Sequence, residues 1–184
     1  MHDFLVWLGE TRWSVALLES YWVWPLVEST HVLTLGIFVG TAVFNDFRLL
    51  GWSLKSVPVS QVTGRILPWT RGSFAVMATT GLLIFYSDPA RYYHNLFFRI
   101  KVVLLVIAGL NAFLFHRRIH RSVAEWDRMD PLPPAARRAG AISLAAWVFI
   151  VISGRLVAYN WFDCSIQPQP DWVNWISACP PPVP

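Results

Sequence analysis

Among the ionisable side chains inside the most apolar parts of this 184-residue chain are Glu28 and His31 in residues 21–50, Lys101 in 97–116, and Arg155 in 139–160. Inserting such groups into hydrocarbon is costly, so each needs a partner or a task. Glu28 and His31 lie one helical turn apart. An imidazole held in an apolar helix can be an axial ligand to haem iron, a ligand to another metal, or a proton carrier beside a quinone. Haem suits the company, because cationic groups nearby could pair with propionates. The expected site therefore has His31 as axial ligand of a b-type haem and Lys101 as second ligand or propionate partner. Arg155 would anchor a propionate or substrate, and Glu28 would stand beside His31.

Those groups can cooperate only if membrane helices carry them. With 55% hydrophobic and 14% charged residues and a mean hydropathy of +0.44, the chain falls outside the soluble globular class and has the length of one domain. The expected fold is all-α, an integral membrane four-helix bundle with spans at about 22–47, 70–87, 97–116 and 139–160. A bilayer takes roughly 20 residues of helix, and only complete helices satisfy their backbones there. Residues 4–20 carry a charge every few positions and are expected to form an amphipathic helix, lying in the interface or packed on the other helices. Residues 161–184 are a tail rich in Pro and Trp. The first 20 residues lack a basic segment followed by a separate apolar core, so the chain is expected to begin near Met1 without a cleavable signal.

Orientation follows from the basic residues. Arg48, Lys55, Arg65 and Arg71 in 47–71, with Arg117, Arg118, Arg121, Arg128, Arg137 and Arg138 in 117–138, make ten of the fifteen. The positive-inside rule puts those connections in the cytoplasm and both termini in the periplasm of a bacterial cytoplasmic membrane. The same clustering accounts for the net charge of +4 without nucleic acid, which is not an expected partner. Cys164 and Cys179 then fall in an oxidising compartment and are expected to form a disulfide rather than a two-thiol metal site, since no His is near them in sequence.

Depth decides which polar groups meet. At 1.5 Å per residue, Glu28 and His31 lie roughly 9 and 13 Å below the outer boundary, Lys101 roughly 6 Å and Arg155 roughly 7 Å. His116 lies roughly 28 Å down by the same rise, too far from His31 to share one iron. It is expected at the inner interface with Asn45, Asp46 and Arg48, the last two as a boundary ion pair. His2 is expected to be solvated and His94 to serve its loop. Gly36, Gly40 and Gly109 are expected to let helix backbones approach. Phe38, Phe74, Phe98 and Trp147 are available to pack a macrocycle.

The segments ESTHVLTLGIFVGTAVFNDFRLL, holding His31, Gly40, Arg48 and Leu49, and FFRIKVVLLVIAGLNAFLFHRR, holding Lys101 and His116, resemble the first and third helices of CopD-like and HemJ-like four-helix membrane proteins. The chain is still more similar to an uncharacterised bacterial group with WPLVESTHVL, PWT and GLNAFLFHRR segments, over about residues 20–160. HemJ-like proteins are protoporphyrinogen oxidases that bind b-type haem and depend on a first-helix His and a third-helix Lys. The resemblance puts those roles on His31 and Lys101. CopD-like proteins are linked to periplasmic copper uptake, yet this chain has three Met and no Met-rich or His-rich outer motif.

The function expected is that of a haem-binding redox protein, an oxidoreductase or a subunit of one. It would pass electrons between a periplasmic or membrane protein partner and a quinone. Two rivals stand beside it: a copper-handling permease-like component with His31 and His94 as ligands, and a structural subunit holding a lipid or quinone within a larger complex.

Overall fold

The computed structural model describes residues 1–159, 161–164 and 166–180, with residues 119 and 120 as backbone alone. The last four residues of the tail therefore lie outside the described residues. Among those described, every regular element is helical apart from one isolated β-bridge between Asn95 and Asp163. In order they are α1 His2–Gly9, α2 Arg12–Leu18, α3 Val23–Leu50, α4 Val59–Ser87, α5 Pro89–Tyr93 and α6 Leu96–Leu114. A π turn, Phe115–Ile119, and a 3-10 turn, His120–Ser122, lead to α7 Val123–Trp126, α8 Pro134–Val157 and α9 Asp171–Ser177.

Local chemistry sets these boundaries. Gly51 ends α3 in the left-handed region at φ 75°, which costs a residue without Cβ little. The side chains of Asp88 and Asn95 accept from the first-turn amides of α5 and α6, Arg91 N and Phe98 N. Pro58 and Pro133 sit at the N-caps of α4 and α8.

Three helices among the described residues are long and apolar enough to cross a membrane: Val23–Leu50, Leu96–Arg118 and Pro134–Val157. α4 is as long, at 29 residues, but carries Arg65, Pro68, Arg71 and a run of hydroxyl side chains. It begins at Val59, well before the expected 70. The expected helix over 4–20 is instead two short ones. Thr11 takes an extended backbone between them, and its hydroxyl closes α1 by donating to Leu8 O at 2.8 Å. Each buries one residue on the rest of the chain while Phe4, Trp7, Trp13, Val15 and Leu18 stay exposed. Leu5 is buried, and buried Ser14 donates to Tyr86 O at 2.8 Å at the end of α4.

The four long helices alternate in direction. α4 packs on α3, α3 on α8, and α8 on α6. At the end where α4 stops and α6 starts, the stacked rings of Phe85 and Phe98, 5.5 Å between centroids, bring the outer members of that row together. This end also carries α1, α2, α5 and the tail, and is called here the capped end; the other, with the α3–α4 connection and residues 115–133, is the basic end. At mid-height Phe38, Met77, Ala108, Ala146, Trp147 and Ile150 form an apolar layer, with Phe38 edge-on to Trp147 at 4.8 Å.

Close helix approach is made by glycines other than those expected. Gly36, Gly40 and Gly109 are exposed, and a Cβ on any of them would meet nothing within 4 Å, so they face away from the other helices. At Gly140 of α8 a Cβ would stand 3.0 Å from Leu49 Cβ and 3.3 Å from Asp46 O. Gly140→Val should therefore lower stability by about 1–3 kcal/mol through overpacking, whereas Gly36→Ala, inside a helix and with open space around it, should raise it by up to about 1 kcal/mol. Thermal unfolding of both variants in detergent measures the contrast.

Candidate functional site

His31 sits on α3 opposite the last third of α4. Its Nδ1 lies 3.0 Å from Met77 O and 3.1 Å from Thr80 Oγ1. A carbonyl oxygen can only accept, so Nδ1 carries the proton and Nε2 keeps its lone pair. The Thr80 hydroxyl donates back along its own helix to Val76 O at 2.8 Å, which leaves its oxygen to accept from the imidazole. Gly81 clears the space, since a Cβ there would come 3.1 Å from His31 Cε1. Met77, Thr80 and Gly81 were not singled out in the sequence. The hydroxyl-glycine cluster Thr79-Thr80-Gly81 inside an apolar helix is the signal that could have found them.

Lys101 is half-buried on α6 and lies within electrostatic reach of His31. Its side chain crosses the face of α8 at Gly154, where a Cβ would be 3.6 Å from Nζ. His31 and Lys101, the pair expected from depth, thus fall within electrostatic reach of each other, each lying against a different helix. The other expected members stand apart. Glu28 is exposed and lies within electrostatic reach of Tyr92 of α5. Arg155 is exposed on the last turn of α8, where it donates to Tyr159 Oη at 3.1 Å and covers that ring. His116 is exposed in the π turn at the basic end, fifteen residues beyond Lys101, which is roughly 22 Å along a helix.

At the basic end Asp46 and Arg48 do not pair as expected. Positions i and i+2 point to different sides of a helix, and the two side chains take different neighbours. Arg48, 2% exposed, donates to Val57 O at 2.8 Å and Asp127 O at 3.2 Å. It thereby fastens the α3–α4 connection to α7. Asp46, 4% exposed, turns inward towards Ser143 of α8.

A model for a family of unknown function (DUF6644) matches residues 4–160. The chain belongs to that family. No curated protein and no solved structure matches it.

Among the described residues no group of three or more His, Cys, Asp or Glu could hold a metal ion, so His31 stands as a single imidazole. Its Nδ1–H is held by a carbonyl and its Nε2 is open, the arrangement that orients metal-ligating imidazoles. The four aromatics expected around a macrocycle pack largely on other rings instead. Phe38 contacts Phe74 and Trp147, and Phe98 stacks between Phe85 and Tyr92.

The capped end is fastened around His94. Its Nδ1 lies 3.1 Å from Ser177 O beside α9, and its Nε2 lies 3.0 Å from His2 Nδ1 of α1. His2 is therefore bonded to the cap rather than merely solvated, and both ring nitrogens of His94 are engaged. The Cys164–Cys179 disulfide is formed and closes the loop that carries α9. Arg99 adds bonds to Tyr93 O at 2.8 Å and Ile176 O at 2.6 Å. Burial pushes the His94 imidazole below the ordinary value of 6.5, with His2 and Arg99 adding charge that opposes its protonation and the Ser177 carbonyl acting the other way. A His whose folded pKa is lowered favours folding when neutral, so this contribution is complete above 6.5 and is lost as the pH falls below it. The melting temperature of the chain should therefore drop on acidification below that point, and the drop should be smaller in His94→Gln. Equal pH profiles for the two proteins would show that His94 does not carry the effect.

Proposed function

We propose that this chain is a b-type haem-binding redox protein of the bacterial cytoplasmic membrane, with all four long helices spanning and both termini periplasmic. One observation carries the reading: the His31 Nδ1–H is held by Met77 O, which leaves Nε2 as a free ligand next to Lys101. The disulfide at the capped end suits an oxidising compartment. The resemblance of the His31 and Lys101 segments to HemJ-like proteins points the same way.

Bound haem would supply one-electron chemistry. The chain's own residues would do the rest. His31 gives the ligand nitrogen, while Met77 O and Thr80 hold the ring in one tautomer and one plane. Lys101, whose stem runs over Gly154, brings a positive charge to the same level as a propionate partner or second ligand. Arg155 at the capped end would anchor a propionate or substrate. Electrons would pass between a periplasmic partner and a quinone or a neighbouring subunit. The copper reading loses support because its second ligand, His94, already bonds Ser177 O and His2.

Oxidised and dithionite-reduced absorption spectra of the purified protein test this. Wild type should show a Soret band and a b-type pyridine haemochrome, and His31→Ala should lose both. Thr80→Val should keep the band but retain haem roughly tenfold less tightly, as for loss of a ligand-orienting hydrogen bond. Wild-type protein free of haem overturns the proposal.

A further inference from the structure

Below the apolar layer, towards the basic end, the four long helices line a half-open cavity of about 220 Å³. It lies more than two helical turns along α3 from His31 and shares no lining residue with that site. Apolar side chains make most of its wall, among them Phe38 of α3, Ile66 and Leu67 of α4, and Trp147 of α8. Its polar side is built from Asp46, Asn45, Thr63, Asn111 and Ser143.

Most of the polar hydrogens along this wall are already used within the protein. Thr63 Oγ1 donates to Asn45 Oδ1 at 2.9 Å, and Thr70 Oγ1 to Thr41 Oγ1 at 2.9 Å. Thr41 donates in turn to Phe38 O at 2.9 Å. Asn111 gives Nδ2 to Ala139 O at 2.9 Å, so its Oδ1 is an acceptor. Asp46 is the exception that needs something: its Oδ2 is buried and finds no hydrogen-bond partner among the described residues. Leaving such an oxygen unpaired is costly, and a donor from a ligand would relieve it. A desolvated metal cation is a poorer occupant, because it needs several converging oxygens, and here the Asn45 and Thr41 oxygens already accept from threonines.

We propose that this cavity binds the head group of a lipid-soluble hydroquinone, with one phenolic hydroxyl donating to Asp46 Oδ2 and the ring lying against Trp147 and Phe38. A flat, mostly apolar body with one or two hydroxyl donors matches a mostly apolar wall at which one buried carboxylate oxygen, Asp46 Oδ2, lacks a partner while Ser143 bonds the same carboxyl group. The oxidised quinone has only acceptor oxygens to offer the same carboxylate and should bind less well. This site does not depend on haem at His31, and each can fail alone.

The test is titration calorimetry of the whole purified chain in detergent with decylubiquinol and with decylubiquinone. Wild type should prefer the quinol by about tenfold, the scale of one added hydrogen bond. Asp46→Asn, which keeps the shape but offers both a donor and an acceptor, should reduce that preference to about threefold or less by the same reasoning. Asp46→Leu should bind neither, and Gly36→Ala, on the outward face of α3, should bind as wild type does. Equal affinity of wild type for the two ligands overturns the proposal. So does quinol affinity unchanged in Asp46→Asn and Asp46→Leu, or stabilisation of wild type by sodium ions in place of the quinol.

Discussion

The contact of the His31 ring with α4 sets the spacing on which the upper half of the structure depends. An imidazole between two apolar helices must have both room and a hydrogen-bond partner, and α4 supplies both within one turn: Gly81 for room, Met77 O with Thr80 for the bond. Replacing either would push α3 away from α4 or leave a polar atom unpaired in an apolar interior. The same device recurs across the bundle. Gly154 makes room for Lys101, and Gly140 lets Leu49 and the Asp46 backbone lie against α8. Small residues thus occur where a polar or bulky side chain must cross a helix face, more than where two bare backbones touch.

That distinction explains what could be read in the sequence and what could not. The long apolar runs, the pairing of His31 with Lys101 at one depth, and the disulfide all follow from composition, helical rise and compartment, quantities local to each segment. The glycines do not. Gly36 and Gly40 have the spacing of a packing motif, yet their face of α3 looks outward, while Gly81 and Gly154 face the bundle. Which side of a helix meets its neighbours depends on the packing of all four, and a single segment carries no record of it.

The errors in polar partnership have the same origin. Glu28 and His31 share a turn, but Glu28 is exposed within electrostatic reach of Tyr92 while the imidazole enters the bundle. Asp46 and Arg48 are two residues apart, and the helix sends one inward and the other to the α3–α4 connection. Neighbours in sequence were read as partners in space. The α4 start at Val59 was missed for a different reason: Arg65, Pro68 and Arg71 resemble a connection by composition, whereas the folded chain carries them on the first half of a helix.

Seen along α3, the inward positions His31, Phe38 and Asn45 recur every seven residues, about 10 Å of rise at each step. The first belongs to a polar site near the capped end, the second to a dry layer with Trp147 and Met77, and the third to the cavity that Asp46 also lines. A layer of interlocked aromatic and aliphatic side chains is a poor path for water or ions, because each polar step through it would be unpaired. The apolar layer thus separates the two polar levels of one bundle. A protein that needed continuous proton or ion passage would have to breach the Phe38–Trp147 contact. One that carries out separate binding events at two levels of a bilayer would keep it, and this chain keeps it with the rings 4.8 Å apart.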